Sequence, residues 1–190
     1  MCDRRCPSSG LDGRGAIARQ EWLELEIEQV LGSFHPVDVS SITSGLDVPG
    51  SDLDIVCDLR PGGYLETVRR AYGDLPDFRT WVSGPRTMVS FTGRRVGVEL
   101  SAEPQAVELQ QAYRHALVAR RAVGLGGIEL AECVRRLRRV DGSKTEPALA
   151  KVLGLPGDPY LAIDGLADVD DATLRRITKK ALQRLRPESG

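Results

Sequence analysis

Apolar positions recur along the chain in two rhythms, one helical and one alternating. Across residues 17–31, Trp22, Leu23, Leu25, Ile27, Val30 and Leu31 recur at helical spacing, and Gly32-Ser33 closes the segment. The period then shortens. Residues 37–42 alternate apolar and polar, and residues 53–59 form a second apolar run directly after Pro49-Gly50-Ser51. A turn at Pro61-Gly62-Gly63 leads into a helix over residues 64–72. Three more strands are predicted over 78–82, 87–91 and 95–100. Their links, Gly84-Pro85 and Thr92-Gly93, are short enough for antiparallel hairpins.

After Pro104 the helical rhythm returns. One helix is predicted over 107–123, closed by Gly124, Gly126 and Gly127, and another over 128–140, ended by Asp141-Gly142. Residues 147–153 begin with Pro147 at a first helical position, and residues 171–185 make a last helix. The expected fold is α+β, with a mixed sheet flanked by helices and a C-terminal helical region. Residues 1–15, rich in Gly, Ser, Arg and Asp, read as a mobile tail. Residues 16–103 read as the sheet-bearing part and 104–190 as the helical part.

Composition narrows the function classes. Lys and Arg number 26 against 27 Asp and Glu, so no global field draws the 190-residue chain to nucleic acid or membrane. No apolar run is long enough to span a bilayer, and the N-terminal residues lack the apolar stretch of a secretory signal, so the cytoplasm is expected. Cys2 and Cys6 lie close together, but a zinc site needs further ligands and the two histidines, His35 and His115, stand alone. Cys57 and Cys133 fall in apolar stretches and are expected to be buried thiols.

The most informative stretch is Gly50-Ser51-Asp52-Leu53-Asp54-Ile55. Side chains alternate along a strand, so Asp52 and Asp54 share one face while Leu53 and Ile55 enter the core. Strands disfavour aspartate, and two carboxylates at ~4 Å repel by roughly 4 kcal/mol at an effective dielectric of about 20. Bound Mg²⁺ or Mn²⁺ reverses that sign, because hard cations take carboxylate oxygens. Gly50 permits close backbone approach, and Ser51 offers a hydroxyl to a phosphate. Glu99, on another apolar strand, shares its parity with Gly97 and completes a set of three acids if the two strands are neighbours. The plainer alternative is a solvated strand end.

This stretch resembles the signature of the DNA polymerase β-like nucleotidyltransferase superfamily. Three segments are similar to a nucleotidyltransferase-like bacterial group catalogued as domain of unknown function 4269. They are Gly45-Leu46-Asp47-Val48-Pro49-Gly50-Ser51-Asp52-Leu53-Asp54-Ile55; Gln110-Gln111-Ala112-Tyr113-Arg114-His115; and Lys144-Thr145-Glu146-Pro147-Ala148 with Gly157-Asp158-Pro159-Tyr160 downstream. The resemblance covers about residues 20–165. It implies a nucleotidyltransferase fold with Asp52, Asp54 and Glu99 at the superfamily's metal-binding and catalytic positions. One departure stands out. Where the superfamily carries Gly-Ser or Gly-Thr to grip the triphosphate, this chain has Ser40-Ser41, which adds a Cβ but leaves the Ser41 hydroxyl as a donor.

In the helical part, Gln110 and Arg114 are four apart and expected on one helix face, with Arg114 either opposing phosphate charge or holding structure. Lys144 precedes a helix N-terminus, where it meets nucleotide phosphates or merely accompanies capping. The arginines of 135–139 and the cations of 175–186 are solvated faces or a grip on nucleic acid.

The expected function is Mg-dependent transfer of a nucleoside monophosphate from a nucleoside triphosphate to an acceptor that the sequence does not identify (a small molecule, a protein or an RNA end), releasing pyrophosphate. Expected nucleotide ligands are Ser41, Gly50, Ser51, Arg114 and Lys144. The alternatives are a nucleotide-binding or regulatory protein without transfer activity, and a nucleic-acid-interacting component of a toxin–antitoxin pair.

Overall fold

The computed structural model describes residues 13–185; Cys2 and Cys6 lie outside them. By contact the chain divides into two units. One holds the residues up to Thr43 with Pro49–Tyr113, and the other holds Ser44–Val48 with the residues from Arg114 onward.

The first unit opens with α1 (Gly13–Glu24) and α2 (Ile27–Leu31) in place of the single helix expected over 17–31. The break falls at Glu26, which takes a left-handed conformation with φ 51°. An unbroken helix would set Trp22 and Ile27 about 140° apart. The break turns both inward, and both are buried.

β1 (Val37–Asp38) is much shorter than the expected strand over 37–42. An Asp38 carboxylate oxygen accepts from the Ser40 N–H at 2.8 Å and turns the chain out of the sheet. Then follow β2 (Leu53–Asp58), α3 (Tyr64–Tyr72), β3 (Arg79–Ser83), β4 (Arg86–Thr92) and β5 (Gly97–Glu103). The sheet order is β1-β2-β5-β4-β3. β2 and β5 run parallel, and the other neighbours pair antiparallel. The fold is therefore α+β with a mixed sheet.

Alternation along these strands separates two faces. Leu53 and Ile55 of β2, Val98 and Leu100 of β5, and Val89 and Phe91 of β4 enter one core with Trp22, Leu31, Val68 and Tyr72 from the helices. The intervening residues Asp54, Glu99, Ser90 and Arg79 point to the other face. The turn between β4 and β5 is held from the helical side. Glu21, wholly buried on α1, accepts from the Arg94 and Arg95 backbone N–H groups at 2.8 and 2.9 Å.

The 107–123 helix expected from sequence begins later. Val107–Leu109 closes a 3-10 turn, Gln110 is extended, and α4 (Gln111–Asp141) starts after it. Gln110 and Arg114 therefore do not share a helix face. Instead the buried Gln110 amide donates to the Cys57 carbonyl at 2.8 Å, fastening the turn to β2. α4 is two helices joined at Gly127, whose φ is 63°, so the expected glycine break is present.

The second unit continues with α5 (Thr145–Leu153), α6 (Pro159–Asp164) and α7 (Asp171–Leu185). α6 is short and has no clear apolar period. Its start is marked by Asp158, which accepts from the Tyr160 and Leu161 N–H groups, with proline next. Leu130, Leu149, Ile163 and Leu174 form this unit's core, and Leu46 from Ser44–Val48 joins them. Among the described residues no helix is long and apolar enough to cross a membrane.

Candidate functional site

The Pro49-Gly50-Ser51 segment leads straight into β2. Gly50 has φ 85°, a conformation open to glycine and costly for other residues, which turns the chain into the strand. The Arg14 guanidinium of α1 donates to the Ser51 carbonyl at 3.2 Å and fixes the turn against the helix.

β2 then sets its acids on the face away from the core. Asp54 stands directly opposite Glu99 in the parallel β2–β5 register. Asp52 sits over Gly97 on the same face: a Cβ built at Gly97 would lie 2.3 Å from the Asp52 Oδ1. A side chain at position 97 would thus occupy the place of that carboxylate. Across β5, Glu99 pairs with Ser90 of β4, and Ser90 pairs with Arg79 of β3. A row of polar side chains, Asp54, Glu99, Ser90 and Arg79, crosses four strands.

Beside this row lies an open concavity of about 200 Å³, lined among others by Asp52, Asp77, Arg79, Thr92, Gly97 and Glu99. Asp54 lies outside the lining. Leu53, Ile55, Val98 and Leu100 anchor the acids' strands in the core, so these carboxylates project from a rigid base.

The three acids share one face but are not drawn to a point. Among the described residues, no group of three or more His, Cys, Asp or Glu side chains is gathered closely enough to hold a metal ion. The donor chemistry nevertheless suits a hard cation. All three supply carboxylate oxygens, two of them in register on neighbouring strands.

Ser40 and Ser41 follow β1 as the chain leaves the sheet. Ser40 is fully buried, and its hydroxyl is within 3.4 Å of the Thr43 hydroxyl. Ser41 is half-buried and opens a turn over residues 41–45, with no helix following.

Arg114 and Lys144 belong to the second unit. There Arg114 is bound by two carboxylates. Its Nε donates to Asp164 at 2.8 Å and its Nη2 to Asp168 at 2.8 Å. Hydrogen bonds from Arg114 hold the Asp168 carboxyl below its ordinary range. Lys144 is exposed and precedes α5 in extended conformation, without a side-chain capping bond.

The helical signature segments meet at His115, a lone histidine whose sequence context favours structural polar contacts over a place at the mouth of the site. His115 is buried; its Nδ1 lies 3.6 Å from Glu146, and its Nε2 lies 3.1 Å from the Tyr160 carbonyl. Burial works against the Glu146 charge, but hydrogen bonds from His115 and its own backbone prevail, and its pKa is lowered. The basic cluster of 135–139 also has a structural task. Arg135 donates to the Gly45 carbonyl at 2.9 Å, and Arg138 donates to the Leu46 carbonyl. The only sequence cue was that Gly45-Leu46 belongs to the same signature as the acids.

The family described as Domain of unknown function (DUF4269) matches residues 20–165. No curated protein matches the chain by sequence. Among solved structures it is similar to the Cid1 poly(U) polymerase with MgGTP bound, at 13% identity and a TM-score of 0.51 over 78% of this chain and 46% of that one. It is similar to the GLD-2/RNP-8 complex at 12% identity and a TM-score of 0.56, over 92% of this chain and 77% of that one. The chain thus spans less than half the length of the poly(U) polymerase. At these identities the likeness shows the fold, which is that of nucleotidyltransferases.

Proposed function

From the premise that the chain belongs to the DUF4269 family and has the nucleotidyltransferase fold, we propose that it transfers a nucleoside monophosphate from a nucleoside triphosphate to an acceptor, releasing pyrophosphate. The observation that carries this reading is the Asp54–Glu99 register pair, with Asp52 beside it over Gly97, at the end of a glycine-serine turn.

In this reading Asp52 and Asp54 hold Mg²⁺, with Glu99 sharing it. The cation, when bound, neutralises charge building on the phosphates. Gly50 and Ser51 approach the triphosphate through backbone N–H groups and a hydroxyl, and Ser41 adds a second hydroxyl. Glu99 accepts the proton of the attacking hydroxyl. Arg114, already bound by Asp164 and Asp168, is assigned to holding the helical unit.

The test is incubation with each nucleoside triphosphate labelled at the α-phosphate, with Mg²⁺ and candidate acceptors. Label should reach the acceptor with the wild type and not with Asp54→Ala. Equal labelling by both removes the assignment. A second reading, nucleotide binding without transfer, draws on Ser40-Ser41 standing where the superfamily carries Gly-Ser or Gly-Thr, with Ser40 buried. It calls for Mg-dependent nucleotide binding with no pyrophosphate release, and steady release excludes it.

A further inference from the structure

The open sheet face continues past Glu99 toward the edge strand, and the residues there change from acids to a cation and an aromatic ring. Arg79 on β3 is two strands from Glu99, or about 10 Å between backbones at the usual strand spacing. It is exposed, and its guanidinium makes no hydrogen bond or ion pair among the described residues. By contrast Arg86, of the same facing on β4, is bound to Glu103 at 2.9 Å. Ser90 lies between Arg79 and Glu99. At the rim, the Thr92 hydroxyl donates to the Asp77 carboxylate at 2.7 Å.

Trp81 follows two residues after Arg79, hence on the same face, and pairs with Met88 of β4. The intervening Thr80 faces the helices, where its hydroxyl lies 3.4 Å from the Arg69 guanidinium. Trp81 is 40% exposed, which leaves part of its ring open to a stacking partner.

We propose that this concavity is the acceptor subsite and takes the hydroxyl-bearing terminal nucleotide of an RNA strand. The inference rests on the transferase reading above and names its acceptor. With the terminal hydroxyl at Glu99, the ribose lies over Ser90 and the strand's phosphate meets Arg79, whose planar fork pairs two phosphate oxygens. The base, or its neighbour, stacks on Trp81. A cation beside an aromatic ring is the usual equipment for a single strand, and it tolerates any base. A protein side chain would bring a hydroxyl without the phosphate that Arg79 awaits.

In the step itself, the RNA hydroxyl oxygen bonds to the α-phosphorus of a nucleoside triphosphate. The bond from that phosphorus to the oxygen bridging it to the β-phosphate breaks, pyrophosphate leaves, and the hydroxyl proton passes to the Glu99 carboxylate.

The chain has two tryptophans, and Trp22 is buried in the core at 2% exposure, so quenching by a surface ligand reports Trp81. The full chain is titrated in EDTA, without triphosphate, with a short single-stranded RNA ending in a free hydroxyl. The same strand fluorescently labelled serves for anisotropy, and adenosine monophosphate is a separate arm. RNA should quench the emission. Arg79→Ala should weaken binding about tenfold or more, Arg79→Lys should restore part of it, and Trp81→Phe should remove the quench while retaining weaker binding.

Unchanged RNA affinity in Arg79→Ala and Trp81→Ala, both still folded by circular dichroism, overturns the proposal. So does quenching by the mononucleotide at the same concentration as RNA, which would indicate a free nucleotide as acceptor. If RNA binds as described but no label is transferred, the subsite stands and the transferase reading fails. If Asp54→Ala abolishes transfer while Arg79→Ala changes nothing, the reverse holds.

Discussion

Asp54 and Glu99 stand opposite each other on two parallel strands whose other faces are locked in the core. Two carboxylates so placed repel, and a bound cation would offset that repulsion. Asp54→Asn keeps the side chain's size while removing its charge, and the metal-free variant should remain folded. Adding Mg²⁺ or Mn²⁺ should raise the wild-type melting temperature and leave the variant's nearly unchanged, since only a ligand bound by the folded state stabilises it. Nucleotidyl transfer by the variant should fall by about a hundredfold or more, the scale of losing one preorganised charge. Equal metal-induced shifts in both proteins, read by differential scanning calorimetry, would remove the metal role.

Gly97 offers an independent probe, because it is an ordinary strand position whose missing side chain leaves room for Asp52. Replacing a strand glycine by alanine commonly stabilises by about 0.5–1 kcal/mol through the backbone. Here the new Cβ would lie 2.3 Å from the Asp52 Oδ1, so the carboxylate must move. Gly97→Ala should be folded and nearly as stable as the wild type in urea, yet show the same weakened Mg²⁺ response as Asp52→Ala. A normal metal response in Gly97→Ala would mean that the position of Asp52 over Gly97 has no bearing on metal.

The sheet was legible because period-2 alternation leaves few options. The strand pattern placed Leu53 and Ile55 inside, and with them Asp52 and Asp54 outside. The parity of Glu99 was readable, but its partner was not: only the parallel crossover joining β2 to β5 sets Glu99 opposite Asp54. Local backbone events also escaped the pattern. The left-handed Glu26 and the Asp38 turn depend on single hydrogen-bonding or packing choices that periodicity does not carry. The arginines of 135–139 read as solvent-facing because their partners, the Gly45 and Leu46 carbonyls, lie some ninety residues earlier in the chain. Charge alone does not reveal a backbone acceptor.

His115 ties together the two downstream signature segments, so its loss should be read in folding. His115→Ala leaves Glu146 half-buried without its ring partner and removes the contact to the Tyr160 carbonyl. Stability should fall by about 1–3 kcal/mol, the cost of stranding a buried polar group. Equilibrium urea unfolding measures it. A loss of under about 0.5 kcal/mol, the range of ordinary surface substitutions, would show that the signature histidine holds nothing.

Acid should destabilise the fold through carboxylates whose partners favour the charged form. Asp58 on β2 is buried, and the hydrogen bond from Arg60 at 2.9 Å holds its pKa below the ordinary value despite burial. Glu146 is lowered by His115 and its own backbone, and Asp168 by Arg114. In each case the unfolded chain, with carboxylates near about 4, takes up protons before the folded one does. Stability from these groups is full above that value and drains away as pH falls through the lower folded pKa. Urea midpoints should change little through these groups from about pH 6 to 5, then drop steadily toward about pH 3. Asp58→Asn should start lower and descend less steeply, so that the two curves converge in acid. His35 contributes to the field at Asp58, so His35→Gln should make the wild-type descent slightly shallower. If Asp58→Asn fell in parallel with the wild type down to about pH 3, the Arg60 pairing would have no part in the acid response.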